Sequence, residues 1–151
     1  MRIFRHWRDV PAPGRGAVVA IGNFDGVHLG HQAVIAEAGR VARATGAPLA
    51  VLTFEPHPRD YFGRAREPFR LTPFRIKLRE IAGLGVDILY LLRFDRDMAC
   101  LTAEDFIHRL LAGGLGVSHV VVGYDFAFGQ ARGGNFAVLQ EHAKKGGYRV
   151  S

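Results

Sequence analysis

Two histidines, His28 and His31, lie three residues apart in the segment GNFDGVHLGHQ, between an apolar run and a stretch with helical periodicity. In the first turn of a helix, this spacing puts both imidazoles on one side. The free backbone N–H groups and the positive end of the helix dipole at such a terminus favour a phosphate group. Imidazoles added there would donate hydrogen bonds to phosphate oxygens and stabilise the charge that builds up during transfer. The spacing therefore predicts a phosphate site with His28 and His31 as its catalytic side chains.

The residues alone leave two other interpretations of this pair open. Histidines three apart on a helix can both ligate zinc, and His57 or Asp25 would then supply a third ligand. Alternatively, the two imidazoles are surface or capping groups without a chemical role. The chain contains neither GxxxxGK[ST] nor GxGxxG, so a P-loop and a dinucleotide-binding fingerprint are both excluded.

Apolar runs alternate with helical periodicity along the chain, which is typical of a parallel sheet covered by helices. Buried strands are predicted at residues 17–21, 49–54, 88–94 and 119–122, and the final GYRVS resembles the start of a fifth. Four strands and four helices in alternation predict an α/β fold with a doubly wound parallel sheet. Ligands bind such sheets beyond the carboxyl ends of the strands, where GNFDGVHLGH, EPHPRDYF and GYDFAFGQARGGN lie.

Three of the helices are predicted from apolar stripes at helical spacing. The stripes consist of Val34, Ala38, Val41 and Ala42 in the first helix, Phe74, Leu78, Ile81 and Ala82 in the second, and Ala103, Phe106, Ile107, Leu110 and Leu111 in the third. Thr72 is predicted to cap the second helix with Pro73 at its first position, and Thr102 is predicted to cap the third.

Length and composition predict one soluble domain. A chain of 151 residues that is 48% hydrophobic can bury a single core. It contains neither a membrane-length apolar run nor an apolar signal segment, so we expect a cytoplasmic protein without a membrane partner. The single cysteine, Cys100, lies in the apolar segment DMACL and is predicted to be a small buried side chain.

The formal net charge of +6 is concentrated in residues 59–79, which carry seven arginines and lysines against two acidic residues. Lys77 and Arg79 belong to this stretch. Such a patch suits a polyanionic ligand, but it is also typical of a solvated loop and helix face, and charge alone favours this second interpretation. No long basic run, zinc-finger spacing or aromatic RNA-binding signature is present, so no nucleic-acid partner is expected.

The full string GNFDGVHLGHQ resembles the HxGH nucleotidyltransferases. With FDG ahead of HxGH, it resembles bacterial FAD synthetase, the FMN adenylyltransferase module of bifunctional riboflavin kinase/FAD synthetases. Three further similarities follow in the same order: TFEPHP at 53–58, RLT at 70–72 and VVGYDFAFG at 121–129. The resemblance spans almost the whole chain and implies a Rossmann-like nucleotidyltransferase fold.

The resemblance also implies a reaction and its site. AMP passes from ATP to FMN, giving FAD and pyrophosphate, with Mg²⁺ accompanying ATP. His28 and His31 would contact the ATP phosphates, and the other residues of the nucleotide pocket would be Asn23, Phe24, Asp25 and Gly30. Small-molecule substrates, ATP and FMN, are the expected partners, together with a riboflavin kinase domain that is normally fused at the carboxyl side.

A flavin site is implied by the same resemblance, and its residues would be Pro56, Pro58, Phe62, Asp125 and Phe128. Aromatic faces that stack on a planar ring and prolines that exclude water suit a flavin. Two structural alternatives stay open from the residues alone. The prolines can simply end a strand, and Phe126 and Phe128 can anchor a glycine-rich loop in the core. Phe106 is attributed to the core by its helical spacing.

Two departures from the family pattern are visible. Ala127 stands where the family usually has a basic residue, although Arg132 is close in sequence. The Ser/Thr-rich signature ending in arginine, and the riboflavin kinase domain, are absent from these 151 residues. The expectation is therefore an FAD synthetase domain at 1–151, truncated near the fifth strand, with reduced or no activity. Alternative functions are a non-catalytic nucleotide- or flavin-binding module and a related nucleotidyltransferase with another phosphorylated substrate.

Overall fold

The computed structural model describes residues 1–24, 29–55, 74–123 and 126–151. Within these ranges, six strands form one sheet in which every neighbouring pair is parallel. The strands are β1 (Arg2–Phe4), β2 (Val18–Ile21), β3 (Leu49–Glu55), β4 (Ile88–Arg93), β5 (His119–Val122) and β6 (Arg149–Val150), and their order is β1-β4-β3-β2-β5-β6. The predicted α/β class with a parallel sheet is confirmed.

Between β2 and β5, the direction in which successive strands are added across the sheet reverses. From β2 the chain proceeds through β3 to β4 on one side, and it then returns to β5 on the other side of β2. In open parallel sheets, such a switch point leaves a crevice beyond the carboxyl ends of the two strands, and ligands bind there.

Helices cover both faces of this sheet. They are α1 (Leu29–Thr45), α2 (Phe74–Gly83), α3 (Arg96–Ala99), α4, which begins at Ala103–Asp105 and continues as a π-helix over Phe106–Leu115, and α5 (Phe136–Gly146). Ile35 of α1 and Ile81 of α2 pack with Val18 and Val51 on one face. Phe106 and Leu110 of α4 and Leu139 of α5 pack on the opposite face. The sheet is therefore doubly wound, and strands buried on both faces explain the unbroken apolar runs.

The central elements agree with the sequence to within a residue or two at their ends. The apolar stripes of α1 and α4 face the core, with Val34 and Ala103 partly buried at their margins. The predicted cap of α4 is present, because the Thr102 hydroxyl accepts a hydrogen bond from the Asp105 N–H at 3.1 Å. The predicted cap of α2, Thr72 with Pro73, lies outside the described residues.

Three expectations were wrong or incomplete. Ala82 is exposed, and Lys77 is buried on α2 instead, so the buried face of this helix is rotated from the apolar stripe. Cys100 is exposed, because the polypeptide turns there between α3 and α4. Strand β1 was not predicted from the sequence. Among the described helices, none is long and apolar enough to cross a membrane.

Candidate active site at the carboxyl ends of the strands

Four residues predicted to form the nucleotide pocket lie at the switch point. Asn23 and Phe24 follow the end of β2, and Gly30 and His31 belong to the first turn of α1. Because β2 pairs with β5, this helix terminus opens at the crevice between the two strands. The two other predicted residues of this pocket, Asp25 and His28, lie outside the described residues.

The backbone after β2 is fixed by a buried polar triangle. The Thr53 hydroxyl donates to the Asn23 carbonyl oxygen at 3.0 Å, and Lys77 Nζ donates to the same oxygen at 2.5 Å and to Thr53 Oγ1 at 3.1 Å. Thr53 and Lys77 are only 1% and 7% exposed. One backbone carbonyl therefore joins the end of β2 to both β3 and α2.

The next residue, Phe24, adopts the left-handed backbone conformation with a φ of 51°. For a residue with a side chain this conformation costs roughly 1–2 kcal/mol. Its ring is buried and meets the imidazole of half-buried His31 edge to face, with 5.2 Å between the ring centroids. A Cβ at Gly22 would come within 3.0 Å of the same ring. The buried ring thus links the turn after β2 to the start of α1.

This arrangement can bind an anion. The first backbone N–H groups of a helix lack partners within the helix, and the helix dipole adds a positive potential there. His31 lies in that first turn and is oriented by Phe24. A phosphate at this terminus would therefore meet backbone donors and one imidazole.

An aromatic cluster occupies the same edge on the other face of the sheet. Phe54 is the second-last residue of β3, Phe94 follows β4, Phe106 begins the π-helical part of α4, and Phe128 follows β5. The centroid distances are 5.7 Å for Phe54–Phe94, 6.3 Å for Phe54–Phe106 and 5.0 Å for Phe106–Phe128. Phe126 stacks on Phe128 at 5.8 Å. Aromatic rings thus come together from β3, from α4 and from the segments that follow β4 and β5.

Phe128 is anchored on both sides. Its backbone exchanges two hydrogen bonds with Gly134, at 3.1 and 2.9 Å, and a Cβ at Gly134 would lie 2.4 Å from its ring. The side chain is 6% exposed, like Phe106 at 3%, and both belong to the hydrophobic core. The assignment of Phe106 to the core is confirmed, whereas a flavin contact of Phe128 stays a prediction. The remaining predicted flavin residues, Pro56, Pro58, Phe62 and Asp125, lie outside the described residues.

The substituted position Ala127 is half-buried, and Arg132 is exposed with a φ of 54°. Arg132 is in the 3-10 turn Gln130–Arg132 that follows the aromatic loop. That Arg132 takes the role of the basic residue usually found at position 127 stays a prediction.

A cleft of about 710 Å³ lies further along the same edge, beyond the carboxyl ends of β1 and β4. None of the described site residues lines it. Its charged side chains comprise four arginines and His6 against four aspartates, one of which, Asp95, caps α3. Another, Asp105, lies 4.0 Å from Arg109. Because the two signs of charge nearly balance, this lining does not select an anionic ligand.

Sequence reasoning missed the polar triangle under the turn. Lys77 was interpreted as part of a solvated basic patch, although it lies one helical turn before buried Ile81. Thr53 was treated as part of an apolar strand. A hydroxyl within the run LAVLTF needs a hydrogen-bond partner when buried, which is the signal that was available.

Comparison with known proteins gives a consistent result. The FAD synthetase family model matches residues 11–151. The bifunctional riboflavin kinase/FMN adenylyltransferase of Escherichia coli strain K12 is 44% identical over 140 residues, which cover 93% of this chain and 45% of the relative. The protein of the same name from Bacillus subtilis strain 168 is 42% identical over 126 residues, or 83% and 40% of the two chains. The chain thus spans less than half the length of these relatives.

A solved structure has the same fold. The structure of a macrolide-efflux protein from Streptococcus pneumoniae superposes with a TM-score of 0.81 and 27% sequence identity. The match covers 98% of this chain and 47% of the other.

Proposed function

We propose, because the chain belongs to the FAD synthetase family, that the protein transfers AMP from ATP to FMN. A phosphate oxygen of FMN would attack the α-phosphorus of ATP, and the bond to the bridging oxygen would break, giving FAD and pyrophosphate. The observation that supports this most directly is the first turn of α1, with His31 held edge-on by Phe24 at the β2/β5 switch point. Catalysis then consists of positioning and electrostatic stabilisation without a covalent enzyme intermediate.

The nucleotide is assigned to the α1 side of the crevice. Backbone N–H groups at the start of α1 and the imidazole of His31 would bind the phosphates, with His28 as the second imidazole. Asn23, Phe24, Asp25 and Gly30 would shape the pocket around them. Stabilisation of charge that develops on the phosphate oxygens is the catalytic contribution expected of the two histidines.

The flavin is assigned to the aromatic side of the same crevice. Elements of the phosphate site pack on the face of the sheet that α1 and α2 cover, whereas the phenylalanine cluster lies on the face that α4 covers. Two ligands that approach from these faces would meet at the ends of β2 and β5. Phe128 would line the flavin pocket together with Pro56, Pro58, Phe62 and Asp125.

Mg²⁺ would enter with ATP. Within the described part of the chain, no group of three or more His, Cys, Asp or Glu side chains is placed to hold a metal ion. Mg²⁺ commonly binds through substrate phosphates and few carboxylates. Bound there, it would neutralise charge on the phosphates of ATP. A riboflavin kinase domain joined to this one would supply FMN, as the names of the relatives suggest.

The test is FAD synthesis by the complete protein that carries these residues. With FMN, ATP and Mg²⁺, chromatography should show FAD and an equal amount of pyrophosphate. His28→Ala and His31→Ala should each lower kcat by about 100-fold or more, the range for removal of one stabilising donor. His6→Ala, at an exposed histidine away from the switch point, is the matched control.

Different outcomes separate the alternatives. A binding module would retain FMN and ATP without releasing pyrophosphate. A transferase for another substrate would release pyrophosphate from ATP with a different phosphorylated acceptor and leave FMN unchanged. Full activity in both His28→Ala and His31→Ala would refute the role assigned to these side chains.

A further inference from the structure

Lys77 is buried on a helix whose neighbouring basic residues are exposed. Its side chain is 7% exposed, whereas Arg75 and Arg79 of the same helix lie in solvent. Burying an ammonium group is unfavourable unless hydrogen bonds compensate for the lost water. A lysine that only kept the protein soluble would stay on the exposed face of α2. The burial therefore calls for a role at the atoms that the ammonium contacts.

One of the atoms that Lys77 contacts belongs to the turn that leads into the phosphate site, and another belongs to strand β3 beside it. Lys77 Nζ donates to the Asn23 carbonyl oxygen at 2.5 Å and to Thr53 Oγ1 at 3.1 Å, and the Thr53 hydroxyl donates to the same carbonyl at 3.0 Å. The carbonyl thus receives two donors from two different elements. Since a trans peptide is planar, fixing this carbonyl also fixes the Phe24 N–H, which points the opposite way.

We infer that Lys77 is a positioning residue for the nucleotide site, acting through Asn23 and Phe24 on His31; this inference rests on the proposed function. The ammonium holds the Asn23 carbonyl, and the fixed peptide keeps Phe24 in its left-handed conformation. The ring of Phe24 then sets the imidazole of His31 at 5.2 Å. Without the ammonium, the carbonyl keeps the Thr53 hydroxyl as its donor among the described residues, and the left-handed turn can relax to a backbone conformation of lower energy.

The test uses Lys77→Met in the complete protein, since methionine keeps much of the side-chain length and loses the donors. A shift of the His31 Cε1–H resonance is expected, because the imidazole lies against the Phe24 ring. The kcat/KM for ATP should fall on the order of 10- to 100-fold, the effect of a small misplacement. The KM for FMN should stay close to the wild-type value. Lys144→Met, at an exposed lysine of α5, is the matched control for both measurements.

Lys77→Arg separates positioning from a general loss of packing. It restores a cation and hydrogen-bond donors, so part of the wild-type His31 resonance position and of the ATP kcat/KM should return. If Lys77→Met does not fold, Thr53→Val removes one donor at constant shape, and a smaller shift of the same resonance is expected.

An unchanged His31 resonance in Lys77→Met would overturn the inference. If only Thr53→Val folds, an unchanged resonance in that variant would overturn it. A KM for FMN that rises as much as the KM for ATP, without rescue by arginine, would also overturn it. A wild-type protein that makes no FAD would instead refute the proposed function, and the resonance would still decide the role of Lys77.

Discussion

Replacing Gly134 with alanine should destabilise the aromatic loop after β5. The added Cβ would lie 2.4 Å from Cε2 and Cζ of the Phe128 ring and 2.7 Å from Cδ2. That ring has little room to move, because Phe106 and Phe126 pack against it at centroid distances of 5.0 and 5.8 Å. The backbone cannot simply separate either, since Phe128 and Gly134 exchange two hydrogen bonds. The substitution therefore forces a change in a well-packed region.

Overpacking of this kind costs about 1–3 kcal/mol. In a domain of this size, 1 kcal/mol corresponds to a change of roughly 2–4 °C in Tm. Urea unfolding followed by circular dichroism should therefore show a lower midpoint with an unchanged m value, and Tm should fall by several degrees. Displacement of Phe128 should also raise the KM for FMN more than the KM for ATP.

Gly133→Ala is the matched control, one residue earlier in the same loop. Gly133 has a φ of −70°, and the nearest atom to an added Cβ is the Gln130 carbonyl oxygen at an ordinary 3.5 Å. An exposed substitution of this type changes stability by about 0.5 kcal/mol at most. Equal stabilities of Gly134→Ala and Gly133→Ala would refute the packing described for Phe128.

Three other predictions concern stability and ligand binding. Burial raises the pKa of Tyr90 to about 12 and that of Tyr148 to about 12. The stability that the two neutral phenols contribute is therefore fully present below pH 10, and it should be lost as the pH rises towards 12. Tyr90→Phe should reduce that loss in urea unfolding measured at several pH values, and an unchanged pH profile would contradict it. Asn135→Ala removes the side chain that caps α5, with an expected cost of about 1 kcal/mol in the same assay; wild-type stability would argue against the cap. Phe128→Leu should raise the KM for FMN with little change for ATP, and the opposite pattern in steady-state kinetics would exclude Phe128 from the flavin pocket.

The central sheet was predictable because its strands are buried on both faces. Residues 49–54 are all apolar except Thr53, and the structure places them in a strand between two others. A strand that is buried on both faces can be recognised from such an apolar run in the sequence alone. Strand β1 gives no such signal, since it has three residues, lies at the sheet edge and leaves Ile3 41% exposed. It forms because β4 offers an unpaired edge, which is a tertiary effect.

The edge of the sheet at which the candidate residues gather was also predictable, whereas the contacts that support the turn after β2 were not. Parallel strands end at one edge, so the unusual residues after β2 and β5 had to lie near each other. The buried lysine was not evident, because charge counts say nothing about which face of a helix packs inward. The left-handed conformation of Phe24 has no signal in sequence either, since phenylalanine does not favour it. Contacts from Thr53 and Lys77 on other elements stabilise that turn.

The short edge strand β1 has a consequence for the solubility of the protein. An exposed strand edge is a template on which another molecule can add a strand and begin an aggregate. Here the edge is only three residues long, and arginines at positions 2 and 5 flank Ile3 and Phe4. A second molecule that aligned with this edge would bring its own arginines against these. Length and charge thus protect the β1 edge of the sheet, and replacing both arginines with valine should increase light scattering at high protein concentration.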